Sequence, residues 1–214
     1  MKTYKYGNPE AARVLIQMVD DHDFAGIEKE IDIIRELTGL DFYFIAIKVD
    51  SWNEDLSPWP APAVFGKEHF GNGAKDTLKE VLKYTGEAGK RYYLGGYSLS
   101  GLFALWAGMQ TGVFRGIAAA SPSAWFSDFY EYVQKHAMKT SAVCLSLGDK
   151  EHKSRSPIMA TVEDKLRGIY AQLQMQPLKS TLEMNPGNHF KDPELRTAKV
   201  FAWVLQQTAD QGGI

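Results

Sequence analysis

The stretch "YYLGGYSLSGLFALWAG", residues 92–108, decides how the chain is read. A strand-like run stops, an apolar run with helical spacing begins, and a serine stands at the junction with glycines on both sides. Around it the order is Gly96-Tyr97-Ser98-Leu99-Ser100-Gly101. A strand-to-helix turn that lifts one side chain above a sheet forces that residue into a strained backbone, so the positions two before and two after it must be small. Gly96 and Ser100 meet that requirement. The usual pattern is G-x-S-x-G, and Ser100 departs from it by adding bulk where strand and helix approach closely. The turn also puts Ser98 at a helix start, where the N–H of Leu99 points outward and can stabilise a developing oxyanion. A Ser/Gly-rich turn without chemistry is the plainer reading, so the rest of the chain must decide.

Outward from this turn, apolar runs of strand length alternate with segments of helical period, the sequence sign of a mostly parallel sheet flanked by helices. "RVLIQMVD" (13–20) reads as a buried strand. "FAGIEKEIDIIREL" (24–37) reads as a helix with Ile27, Ile31 and Ile34 on one face. "DFYFIAIKV" (41–49), "KRYYLGGY" (90–97), "FRGIAAASPS" (114–123), "SAVCLSLG" (141–148) and "STLEMN" (180–185) are the further strands. The spacing predicts helices over 74–84, 102–110, 125–137, 158–174 and 193–207. In the helix over 158–174, Ile158, Val162, Leu166 and Tyr170 fall in register. Residues 50–73 carry three prolines, three glycines and two tryptophans, which fits no regular element. A loop that long with so many aromatics is expected to be functional rather than disordered.

The 214 residues suit a single α/β domain over 1–214 with a full core. A formal net charge of -2 gives no global basic field, so nucleic acid is not an expected partner. The N-terminal stretch lacks the apolar core of a signal peptide, and no run reaches the length of a membrane span. A soluble, cytoplasmic protein with no membrane partner is therefore expected. The single cysteine, Cys144, sits in an apolar run and reads as a small core residue; no disulfide or metal-site spacing is present.

A serine needs a base and an orienting carboxylate to become a nucleophile. "EMNPGNHFKDPEL" places His189 in a turn after the last predicted strand. "CLSLGDKEHKSRSP" places Asp149 and Glu151 directly after the strand before it. The chain order is thus Ser, acid, His, each at the carboxyl end of a strand, where ligands bind in open α/β sheets. His22, His69, His136 and His152 have weaker claims. Glu151 is favoured as the acid because it reaches further over the sheet edge, with Asp149 the alternative. Trp52, Trp59 and Phe65 of the long loop, Tyr97, and Trp125 after "SPSA" are candidate pocket aromatics; a structural role in covering the sheet edge is the alternative.

Through "GGYSLSGLFALWAG", "AAASPSAWF", "SLGDKE", "GNHF" and the region "DLSPWPAPAVF…FGNGAKDTLKEVL", the chain resembles the α/β-hydrolase superfamily. The resemblance lies with its branch of esterase D-like and siderophore esterases. It implies an α/β-hydrolase fold, and the short chain leaves little room for a separate lid domain. It further implies Ser98 as nucleophile, His189 as base and, from the pattern G-x-x-D or G-x-x-E, Glu151 over Asp149 as acid. A second oxyanion donor is implied after "LIQMV", where the backbone N–H of Asp21 is the candidate. There the family often has a glycine, and "DDHD" instead puts acidic side chains near an anion site. The activity implied is hydrolysis of a small to medium soluble ester through an acyl-enzyme, with no metal or organic cofactor. An acyltransferase or thioesterase on the same triad is one alternative. A hydrolase-like binding module that has lost catalysis is the other.

Overall fold

A computed structural model describes residues 1–64 and 66–208. Its elements in chain order are β1 (Lys2–Gly7), β2 (Arg13–Val19), α1 (Asp21–Thr38), β3 (Tyr43–Lys48), α2 (Trp52–Asp55), α3 (Ala74–Leu82), β4 (Arg91–Tyr97), α4 (Ser98–Gln110), β5 (Phe114–Ala120), α5 (Phe129–Lys135), β6 (Ala142–Gly148), α6 (Val162–Gln174), β7 (Lys179–Asn185) and α7 (Pro193–Gln207). Two short 3-10 turns, Glu151–Lys153 and Met159–Thr161, lie between β6 and α6.

The strands form one sheet in the order β1-β3-β2-β4-β5-β6-β7, and every pair is parallel except β1 with β3. The chain runs outward from β2 to β3, then returns to place β4 on the other side of β2. The strand order therefore reverses between β2 and β4, and a crevice opens above their carboxyl ends. The register aligns the ends of the later strands: Tyr97 opposes Ala120, Ala120 opposes Ser146, and Gly148 opposes Asn185. Residues immediately beyond these ends are thereby delivered to one edge.

Both sheet faces are covered, which is why the central strands read as continuous apolar runs. On one face α1 and α7 pack Ile27, Ile31, Ile34, Phe201 and Val204 onto Leu15, Phe44 and Tyr93. On the other, α4 lies within the core with Leu99 through Met109 all buried, so its sequence is apolar around the whole helix. Capping sets the ends of α1: Asp20 accepts a hydrogen bond from the N–H of Asp23 at 2.8 Å, and Gly39, at φ 64°, closes the last turn onto Arg35.

Several details differ from the sequence expectation. The edge strand β1 has a charged, partly exposed sequence with no apolar run to announce it. Residues 50–73 are more ordered than a plain loop, holding α2 and an antiparallel bridge between Ala61 and Phe70. The helix expected over 125–137 begins only at Phe129, after Asp128 takes φ 59°, because Trp125 and Phe126 are buried in the preceding turn. Ile158 lies outside α6 and is half exposed; the buried face of that helix is Val162, Leu166, Ile169 and Leu173. Among the described residues there is no separate lid domain, and no helix is long and apolar enough to cross a membrane.

Candidate active site

Ser98 begins α4 directly after β4, with φ 55°. That left-handed backbone is costly for a residue with a side chain and requires its neighbours to make room. A Cβ on Gly96 would stand 1.9 Å from the Ser100 hydroxyl, and one on Gly101 would stand 2.9 Å from the Gly96 carbonyl, so neither position admits a larger residue. Ser100, the departure from the usual glycine, is accommodated by a specific bond. Its fully buried hydroxyl donates to the carbonyl of Met18 at 2.8 Å, tying the turn to the end of β2.

The Ser98 hydroxyl lies 3.1 Å from Nε2 of His189, and Nδ1 of the same ring lies 2.8 Å from Oε2 of Glu151. With the proton on Nδ1, the imidazole donates to the carboxylate and leaves Nε2 free to accept from Ser98. Glu151 is nearly fully buried, and its other oxygen, Oε1, accepts from the Ser121 hydroxyl at 2.7 Å, the Gly148 N–H at 2.8 Å and Nη1 of Arg196 at 3.1 Å. Burial pushes its carboxyl up. The bond and charge of His189, with the Gly148 and Ser121 bonds, outweigh that and hold it below its ordinary value of 4.5.

Asp149, the other candidate acid, is placed differently. Its Oδ1 accepts from the Gly187 N–H at 2.7 Å, while its own N–H donates to Asn185 and that of Lys150 to Gly187. It fastens the loop after β6 to the turn carrying His189, and Gly187 at φ 110° makes that turn possible.

Three residues at this edge carry no obvious sequence signal. Arg196 on α7 is 1% exposed. Besides Glu151 it donates to Tyr97 Oη at 3.1 Å, Ser121 Oγ at 3.3 Å, and the carbonyls of Pro186 at 3.2 Å and Asn188 at 3.0 Å. Ser121, at φ 41°, follows β5, and Ser123 brings its hydroxyl to 3.3 Å from that of Ser98. An arginine inside an amphipathic helix looks solvated in sequence; only its position facing the sheet edge shows otherwise.

The candidate pocket aromatics separate. Trp52 lines a cleft of about 150 Å³ at Ser98, together with Asp20, His22, Asp23, His189, Phe190 and Pro193. Tyr97 borders it too, but its buried hydroxyl donates to the His189 carbonyl at 2.7 Å, so it steadies the histidine turn from beneath; burial raises its pKa to about 12. Trp125 flanks His189 from a second cleft. Trp59 is not brought to Ser98: its indole N–H donates to Ser127 at 2.9 Å, and its ring packs near Phe126, Phe129 and Tyr132. Those partners turn it toward α5. Phe65 lies outside the described residues. Phe190, 82% exposed beside His189 and bordering both clefts, is a further pocket aromatic with no local sequence pattern to mark it.

The acidic stretch at the start of α1 is largely neutralised. Asp20 spends an oxygen on the helix cap, and Asp21 turns outward to pair with Lys48. Burial, reinforced by the charges of Asp20 and Glu194, raises the Asp23 carboxyl from 3.8 to about 7 against the opposing bond from Asp20. A carboxyl raised on folding stabilises the fold most below the unfolded pKa, and this contribution is lost as pH rises toward about 7. Asp23→Asn is therefore expected to be more stabilising at pH 8 than at pH 4, by about 1–3 kcal/mol. Denaturant titrations at the two pH values measure this; equal effects would refute it.

Cys144 is buried in β6 with its thiol pKa pushed up by burial, and among the described residues no cluster of three or more His, Cys, Asp or Glu side chains could hold a metal ion. The sheet order, the turn at Ser98 and the flanking helices define the α/β-hydrolase fold. No family model matches the chain, and no curated protein matches it in sequence. Solved structures share the fold. The siderophore hydrolase EstA from Aspergillus nidulans is 19% identical with a TM-score of 0.68, the match covering 95% of this chain and 86% of that one. An IroE-like serine hydrolase from Shewanella oneidensis is 15% identical with a TM-score of 0.69, covering 94% and 74%. The enterobactin esterase FES from Shigella flexneri is 15% identical with a TM-score of 0.63, covering 96% of this chain and 55% of that one.

Proposed function

We propose that the chain is a serine carboxylic-ester hydrolase in which Ser98 is the nucleophile, His189 the general base and Glu151 the acid. The observation that carries this reading is the continuous chain of contacts from Ser98 Oγ to His189 Nε2 and from His189 Nδ1 to Glu151, at 3.1 and 2.8 Å. The esterase names among the solved structures of like fold agree with it.

In the first step Ser98 Oγ attacks the ester carbonyl carbon as its proton passes to His189 Nε2. The tetrahedral oxyanion is held by the Leu99 N–H at the start of α4 and by the Asp21 N–H at the start of α1, both among the amides a helix leaves unpaired at its N-terminus. Nε2 then returns the proton to the departing alkoxide, giving the alcohol and an acyl-Ser98. A water molecule activated by the same nitrogen attacks the acyl carbon and releases the acid. Glu151 stays ionised throughout, holding the imidazole orientation and stabilising the imidazolium. These steps use side chains and backbone amides alone. The small cleft at Ser98, walled by Trp52 and Phe190 and flanked by Trp125, suits esters of modest size.

Fluorophosphonate labelling at neutral pH tests the reading. Ser98 is expected to be the modified residue by mass spectrometry, with loss of labelling in Ser98→Ala and a drop of at least about a hundredfold in labelling rate in His189→Ala. Folded protein whose Ser98 stays unmodified would instead indicate a binding module on a hydrolase scaffold.

A further inference from the structure

A second cleft, of about 370 Å³, opens from the other side of His189. Its wall combines the apolar surfaces of Trp125, Met159, Val162 and Phe190 with three cations, Lys150, Lys153 and Arg155. These cations come from the short segment between β6 and α6 that also supplies Glu151. None of their side chains has an ion-pair or hydrogen-bond partner among the described residues. Cations on α6 and α7, by contrast, are paired: Lys165 with Glu131, Arg167 with Glu163 and Lys199 with Glu183. The one carboxylate lining the cleft is Glu151, and both its oxygens are occupied by His189, Ser121, Gly148 and Arg196. An uncompensated positive patch thus faces the reaction centre in a chain whose net charge is -2. Across His189, the Ser98 cleft is bordered by Asp20 and Asp23. No lysine or arginine among the described residues lines that cleft, so the cations lie on one side of His189 and an anionic substrate would have one favoured orientation.

We infer that Lys150, Lys153 and Arg155 form a recognition site for an oxyanion, a carboxylate, phosphate or sulfonate, carried by the ester substrate on the side of the scissile bond that faces this cleft. The inference rests on the proposed esterase activity and deepens it. Arg155 offers a planar fork to such a group, while the two lysines supply mobile point charges. The apolar wall takes up the carbon chain that joins the anion to the ester.

Two matched pairs of esters test this. For an anion on the acyl side, the para-nitrophenyl monoester of glutaric acid is compared with para-nitrophenyl hexanoate. For one on the alcohol side, para-acetoxybenzoate is compared with its neutral methyl ester. In at least one pair kcat/KM should favour the anion by about tenfold at low ionic strength. That ratio should fall toward one in about 0.5 M salt, and also in the triple variant Lys150→Gln, Lys153→Gln, Arg155→Gln. Faster or equal turnover of the neutral ester in both pairs overturns the inference while leaving the hydrolase intact, as does an anion preference that survives in the triple variant. If Ser98 is labelled but none of the four esters turns over, the same pairs are compared as competitors of labelling, where equal protection overturns it. Absence of both labelling and turnover instead fails the proposed function.

Discussion

Changing Glu151 to glutamine is expected to lower kcat by about ten-thousandfold, whereas Asp149→Asn should cost less than about tenfold. Both acids leave the same loop two residues apart, yet they meet different partners. Glu151 receives Nδ1 of His189 at 2.8 Å on one oxygen and three donors on the other. A glutamine amide keeps the shape but can present its NH2 to His189, which drives the imidazole toward the tautomer that protonates Nε2. That nitrogen then cannot accept from Ser98. It also removes the negative charge that stabilises the imidazolium, so the loss should appear in kcat far more than in KM. Among the described residues the Asp149 carboxylate accepts only from the Gly187 N–H, and asparagine retains an oxygen for that bond. Steady-state kinetics on any hydrolysed aryl ester decides between them; a large kcat loss in Asp149→Asn with a mild one in Glu151→Gln would reverse the assignment.

The same loop shows why part of the candidate site is legible in sequence and part is not. Ser98 announces itself because its strained turn imposes local size rules, and Gly96, Ser100 and Gly101 are the visible consequence. His189 and the acid pair stand out because a parallel sheet delivers the ends of its strands to one edge, so position after a strand is informative by itself. The sheet was legible for a related reason: strands buried on both faces leave apolar runs, as in β2, β4 and β6. Where burial is partial, that signal fades, and β1 with its exposed lysines was invisible. Trp59 carried the composition of a pocket residue, but its indole N–H is satisfied at Ser127, away from Ser98. The direction of a side chain within a long loop depends on contacts such as these, which no local pattern encodes.

Arg196 is the clearest case of a role set by tertiary contact, and its replacement should have the largest effect on stability. Arg196→Met is expected to destabilise the fold by about 3–5 kcal/mol, because it removes the buried cation paired with Glu151 at 3.1 Å and takes a donor from the carbonyls of Pro186 and Asn188, the second of which keeps only the Lys191 N–H. For a chain of this size that corresponds to a fall in Tm of roughly 10 °C. Glu151, held below its ordinary value of 4.5, contributes stability that is present above the unfolded pKa and lost as pH falls through the folded one. If the arginine stabilises the ionised carboxylate, the difference between wild type and variant should be largest near neutral pH and shrink once Glu151 is protonated in acid. Activity should fall as well, by about a hundredfold at temperatures where the variant is folded. The two carbonyls flank the turn that aims His189, and a shift of about 1 Å in a reacting group has a cost of that order. Arg196→Lys separates charge from geometry: an ammonium restores a cation near Glu151 but cannot reach five acceptors with a planar fork, so it should recover part of the stability and less of kcat. Thermal unfolding across pH, read beside kcat, measures both. A folded Arg196→Met variant with unaltered kcat and a pH-independent loss of stability would reduce the arginine to core filling.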